Sequence, residues 1–152
     1  MKLAEALSLR KRLERRIANL KERLERTVRV QEGDKPAESP DELMTELDSC
    51  LIQLESLIFR INVTNMKIVS EDGKSMTQLL AERDVLNKRI SILRNTFDRA
   101  SSSSERYGRT EIRTVATVEV KPLRKQLDEC AKHYRQLDLT IQTLNFTNDL
   151  EE

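Results

Sequence analysis

One histidine, two cysteines and a scatter of arginines and asparagines are the residues here whose types suit chemistry. His133 follows Glu129 by four positions, a spacing that puts both on one helical face. A salt-bridged surface pair fits that spacing better than a metal centre. A carboxylate di-metal site built into helices needs paired Glu-x-x-His motifs, and this chain has a single His. No metal ligand set is expected. Cys50 and Cys130 are far apart in sequence, fall on apolar seams and have no evident base, so they read as small core residues, not nucleophiles. The three glycines are isolated and make no phosphate-cradling loop. The residues lean against an enzyme: no catalytic residue is identified and no cofactor is implied.

Polar residues on otherwise apolar seams carry more information. Arg10 and Arg83 occupy such positions, and a buried arginine is costly without partners. Counting helical layers puts both near one end of a bundle. At that level come Arg60, Asn62 and Asn65 from the segment RINVTN, then Asp84 beside Arg83, and Asp138 and Asn145 from the last helix. Asn and Thr are mediocre helix formers, so their clustering needs a reason. One reading is a polar pocket for a small anion or polar metabolite. The favoured reading is a satisfied polar layer that fixes helix register or subunit orientation.

Four long segments must position these residues. Each shows apolar residues spaced alternately three and four apart, the mark of amphipathic helices with coiled-coil-like seams. The first, about 2–26, runs through Leu3, Ala6, Arg10, Leu13, Ile17, Leu20 and Leu24. The second, about 40–69, opens on Ser39-Pro40-Asp41-Glu42, with a capping serine, a proline suited to the first helical position and a glutamate placed for a capping box. Its seam follows Leu43, Leu47, Cys50, Leu54, Leu57, Ile61 and Ile68. The third, about 77–100, carries Leu79, Arg83, Leu86, Ile90, Leu93 and Phe97; the fourth, about 122–146, carries Leu123, Leu127, Cys130, Tyr134, Leu137, Ile141 and Leu144. A serine-rich flexible linker is expected at about 101–108. The β-branched stretches 27–31 and 111–119 read as a small two-stranded appendage, because a lone strand is unstable and each is the other's only candidate partner. The expectation is one mainly α domain over 1–152, an antiparallel bundle of four long helices.

Composition agrees: 35% of the 152 residues are charged, 38% are hydrophobic, 3% are aromatic, and Trp is absent. Such a chain is poorly equipped to stack on bases or sugars. The net charge is +1, but it is unevenly spread. Residues 2–29 hold ten basic and four acidic side chains, whereas 31–59 hold eight acidic and one basic. Opposite signs on consecutive helices point to a hairpin whose members select each other. Nucleic-acid binding by the basic first helix, at Arg10, Lys11, Arg12, Arg15 and Arg16, is the less favoured reading. No run approaches the roughly 18 apolar residues of a membrane span, and the opening residues lack a signal-peptide pattern. Cytoplasmic location is therefore expected.

The segments MKLAEALSLR, VQEGDKPAESPDEL, RINVTN, LLAERDVLNKRISILR, RYGRTEIRTVATVEV and LNFTNDL together resemble the septicolysin-like family of small bacterial proteins. The resemblance covers nearly the whole chain. It implies a helical fold and a bacterial source, and it hands over no catalytic residue. The family's name implies a cytolysin, which the residues do not support: only the alternating Ile112–Val120 stretch is a candidate for insertion by β-pairing, and it is short and flanked by charge.

The leading expectation is thus a non-enzymatic, self-associating helical protein with a structural or interaction role. Met44, Leu51 and Ile58 flank the second seam and make that helix apolar on more than one face, so a homo-oligomer is the expected partner. A binder of a small polar or anionic ligand, using the polar end, is the alternative.

Overall fold

The structure is a computed structural model that describes residues 1–102 and 112–152. It is mainly α: α1 (Leu3–Thr27), α2 (Pro40–Lys67), α3 (Met76–Ser101) and α4 (Val120–Thr147), with no named strand among the described residues. These helices assort into two compact units. One comprises Met1–Ser75 with Gln142–Glu152, the other Met76–Ile141.

In the first unit, α1 and α2 pack as an antiparallel pair. Its core contains Leu3, Ala6, Leu13, Leu20 and Leu24 from α1 and Leu43, Cys50, Leu57 and Ile61 from α2, all buried. Rim charges bind the pair in the sense that the opposite signs of the two helices require. Arg16 Nε donates to Glu46 at 2.8 Å, and Arg23 Nε donates to Glu38 at 3.0 Å. Moving seven residues along α1 moves eight back along the partner segment, which fixes the antiparallel sense. The hydrogen bond from Arg23 holds the Glu38 carboxyl below its usual range, and the Arg23 guanidinium is raised in return.

Local chemistry sets the helix ends. Ser39 Oγ accepts from the Glu42 N–H at 3.4 Å with Pro40 at the first helical position. At α1 the Glu5 carboxylate reaches back to the Lys2 N–H at 2.8 Å, half of a capping box without a capping hydroxyl. After α2 the chain reverses through a tight turn. The Ser70 N–H donates to the Lys74 carbonyl, the Gly73 N–H to the Ser70 carbonyl, and Val69 bridges Ser75. Gly73 sits at φ 80°, a left-handed conformation that a side chain would strain.

In the second unit α3 and α4 are also antiparallel. Arg83 pairs with Asp138, Glu82 with His133, and Arg124 lies 5.6 Å over the Phe97 ring, so later α3 residues meet earlier α4 residues. Met76, Leu79, Leu86, Ile90 and Leu137 are among its buried residues. Cys130, expected in the core, is only half-buried. Pro122 lies in the first turn of α4, where its missing N–H costs nothing.

The two-stranded appendage is a correction. Thr27 is the last residue of α1, its hydroxyl donating to the Arg23 carbonyl at 2.9 Å, and residues 28–31 form no strand. Residues 112–119 form none either, and residue 111 lies outside the described residues. β-Branched side chains favour a strand only where a neighbouring strand gives them a surface to pack on. Here Val28, Ile112, Val115 and Val118 stay in water. Of the serine linker, Ser101 closes α3 and residues 103–108 lie outside the described residues.

Candidate functional site

The residues expected to form the polar end divide between the two units: Arg10, Arg60, Asn62, Asn65 and Asn145 belong to the first, and Arg83, Asp84 and Asp138 to the second. Arg10, on α1, bonds its own helix neighbour Glu14 at 3.0 Å. On α2, Arg60 Nε donates to the Glu151 carbonyl at 2.8 Å; Asn65 is half-buried one turn further on, and Asn62 points to solvent. Asn145 is half-buried late in α4. In the second unit Arg83 Nη1 reaches Asp138 Oδ1 at 3.0 Å, each side chain 29% exposed, while Asp84 is exposed. The structure therefore brings Arg83 to Asp138, and Arg60 to a backbone carbonyl, a partner that side-chain types alone do not reveal.

The Arg83–Asp138 contact is a partly solvated pair between helices. Its guanidinium is engaged by protein, and Asp138 keeps another interaction besides. Arg83→Leu is expected to change the unfolding free energy by no more than about 1 kcal/mol, the range for partly exposed ion pairs. Urea denaturation checks this, and a loss above about 3 kcal/mol would refute it.

Around Arg60 a clasp forms. The Glu151 N–H donates to Thr64 Oγ1 at 3.0 Å, Thr64 Oγ1 donates to the Arg60 carbonyl at 2.7 Å, and Lys67 Nζ meets Glu151 Oε2 at 2.7 Å. Lys2 bridges Asp149, and the backbones of Met1 and Leu3 pair with Leu150 and Asn148. Thr64 is 2% exposed and engaged on both sides. Thr64 and the Arg60 Nε are thereby engaged by the protein's own groups.

Among the described residues no three His, Cys, Asp or Glu side chains gather as a metal site. The hollow along the start of α4 mixes Lys121, Arg124, Lys125 and Lys132 with Glu119, Asp128 and Glu129, which gives no field of one sign. His133 Nε2 lies 3.3 Å from Glu82 rather than pairing with Glu129, so the surface pair is formed with α3.

The most distinctive surface is apolar. Ile52, Phe59 and Met66 are 68%, 69% and 72% exposed. They lie seven residues apart, each two positions beyond Cys50, Leu57 and Thr64 of the buried edge. At 100° per residue that is about 200° around the helix, the opposite side of α2. Met44 and Leu51 are exposed nearby, in line with the sequence expectation, while Ile58 is half-buried. The seven-residue repeat is present in the sequence, but the stronger Leu43–Cys50–Leu57 seam accounts for the helix on its own and hides it.

A family model, described as a family of unknown function (DUF6847), matches residues 10–150. The chain belongs to that family. It is also similar to a solved structure, the crystal structure of a functionally unknown conserved protein from Corynebacterium diphtheriae. That protein is 40% identical, with 99% of each chain covered and a TM-score of 0.94. No curated protein matches. The resemblance to the septicolysin-like family is overturned by these matches, and the cytolysin expectation that rested on its name goes with it. No helix among the described residues is long and apolar enough to cross a membrane.

Proposed function

We propose that this chain is a non-catalytic, self-associating helical protein with a structural or interaction role. The observation that carries this reading is the outward apolar stripe of Ile52, Phe59 and Met66 on α2. Isolated exposed apolar residues are ordinary, whereas an aligned set of large ones on one helix face marks an association surface. Val85 and Ile92 on α3, and Leu139 and Phe146 on α4, repeat the same seven-residue spacing while about two-thirds exposed, and they support the same reading. The partly solvated, protein-engaged state of Arg83 and Arg60 favours a register role over ligand capture.

Sedimentation equilibrium over a concentration series tests the proposal. The weight-average mass is expected to rise above that of one chain as concentration increases. A single-chain mass throughout, up to several hundred micromolar, would overturn it.

A further inference from the structure

We infer that a second copy of this chain occupies the outer face of α2, in an antiparallel pair of α2 helices centred on Phe59. The inference rests on the self-association reading and specifies its interface.

Three features lead to it. The first is the symmetry of the stripe. Ile52 and Met66 lie seven residues to either side of Phe59 and are similar in bulk, so reversing the helix lays the stripe onto itself. An isologous two-fold contact needs this self-complementarity. In that register Phe59 meets Phe59 of the second copy, and Ile52 meets Met66. The stripe spans about 21 Å at 1.5 Å per residue, enough for three consecutive layers of side chains.

The second feature is charge. In this register residues 51–67 of the two copies lie alongside each other, and within that span α2 carries Glu55, Arg60 and Lys67. A parallel pair would set Glu55 beside Glu55 of the second copy. An antiparallel pair separates those two carboxylates along the helix and opposes the helix dipoles.

The third is the polar flank. Asp48, Glu55 and Asn62 run along one side of the stripe, all exposed. In an antiparallel pair this flank meets the same flank reversed. Glu55 then lies beside Asn62 of the second copy, a carboxylate beside an amide donor, and like charges do not face each other. The other flank carries Ser49, Ser56 and Val63, which are small and uncharged and allow close approach.

Disulfide trapping tests the geometry separately from self-association. In the Cys50→Ala, Cys130→Ala background, whose helicity is first checked by circular dichroism, Phe59→Cys is expected to form a covalent dimer under mild oxidation. Ile52→Cys together with Met66→Cys should also trap a dimer, and Ile52→Cys alone should not. Phe59→Glu in the otherwise natural chain should weaken association by about tenfold or more while leaving helicity unchanged, as expected for a central aromatic. Efficient trapping of Ile52→Cys alone would establish a parallel pair and overturn the inference. So would an oligomer that Phe59→Cys fails to trap and Phe59→Glu fails to weaken, although self-association would then still stand. A strict monomer would remove both readings.

Discussion

Leu20→Ala is expected to lower the unfolding free energy by about 2–5 kcal/mol, the range for emptying a fully buried leucine site. Leu20 is 0% exposed and sits in the middle of the α1 seam, between Leu13 and Leu24, where its neighbours are held by helix packing and cannot readily collapse inward. Against the roughly 5–15 kcal/mol typical of a domain, this is a large fraction. At about 2–4 °C per kcal/mol for a chain of this size, the melting temperature should fall by roughly 10 °C. Phe59→Ala removes a bulkier side chain from the outer side of α2, yet at concentrations where the protein is dissociated it should cost under about 1 kcal/mol, because that ring is already in water. Chemical denaturation of both variants in dilute solution is the check. A Leu20→Ala loss below about 1 kcal/mol would contradict the assignment of α1's inner face, and a larger loss for Phe59→Ala would mean that the stripe belongs to the core.

That contrast also marks what the sequence makes legible. Leu3, Ala6, Leu13, Leu20 and Leu24 are readable as one face because twelve of the other twenty residues of α1 are charged, which makes its period plain. α2 is apolar on two opposite faces. A single seam explains only one of them, and the second stripe becomes meaningful only when exposure separates inside from outside. Ser39-Pro40 is equally plain, since a cap is a purely local device. The β-branched stretches mislead because strand formation is not local: Thr27 satisfies its hydroxyl within α1, and the valines have no sheet to join. The arginines are the hardest to place. Helical spacing allows the Arg10–Glu14 pair within α1, but whether Arg83 meets Asp138 or Arg60 meets a carbonyl depends on side-chain reach between segments, which periodicity does not encode. The fold is therefore readable in outline, and the Arg83–Asp138 contact joins two of the residues singled out for the candidate site.

Leu150→Asp is expected to open the clasp that joins residues 148–151 to the start of α1 and the end of α2. Two salt bridges decorate the clasp, Lys2–Asp149 at 3.1 Å and Lys67–Glu151 at 2.7 Å, but three of their four side chains are at least 44% exposed and the fourth is 41% exposed, so each contributes at most about 1 kcal/mol. Apolar burial and buried hydrogen bonds contribute more. Leu150 is 6% exposed beside a Leu3 that is fully buried, and its N–H donates to the Met1 carbonyl at 2.8 Å while the Leu3 N–H donates to the Asn148 carbonyl at 3.0 Å. An aspartate at position 150 must either bury an unpaired carboxylate or leave the site, and leaving is the cheaper course. Departure exposes Leu3 and strips Thr64 and Arg60 of their Glu151 partners, so the combined loss should reach about 3 kcal/mol or more. Because the effect is local, native-state hydrogen exchange should show it best. The amides of Leu3, Ala6 and Glu151 should lose protection by about a hundredfold, while those near Leu20 and Leu57 change far less. The Lys2→Ala variant should leave the same amides nearly unaltered. If Lys2→Ala opened the clasp as far as Leu150→Asp, charge rather than burial would be what closes it.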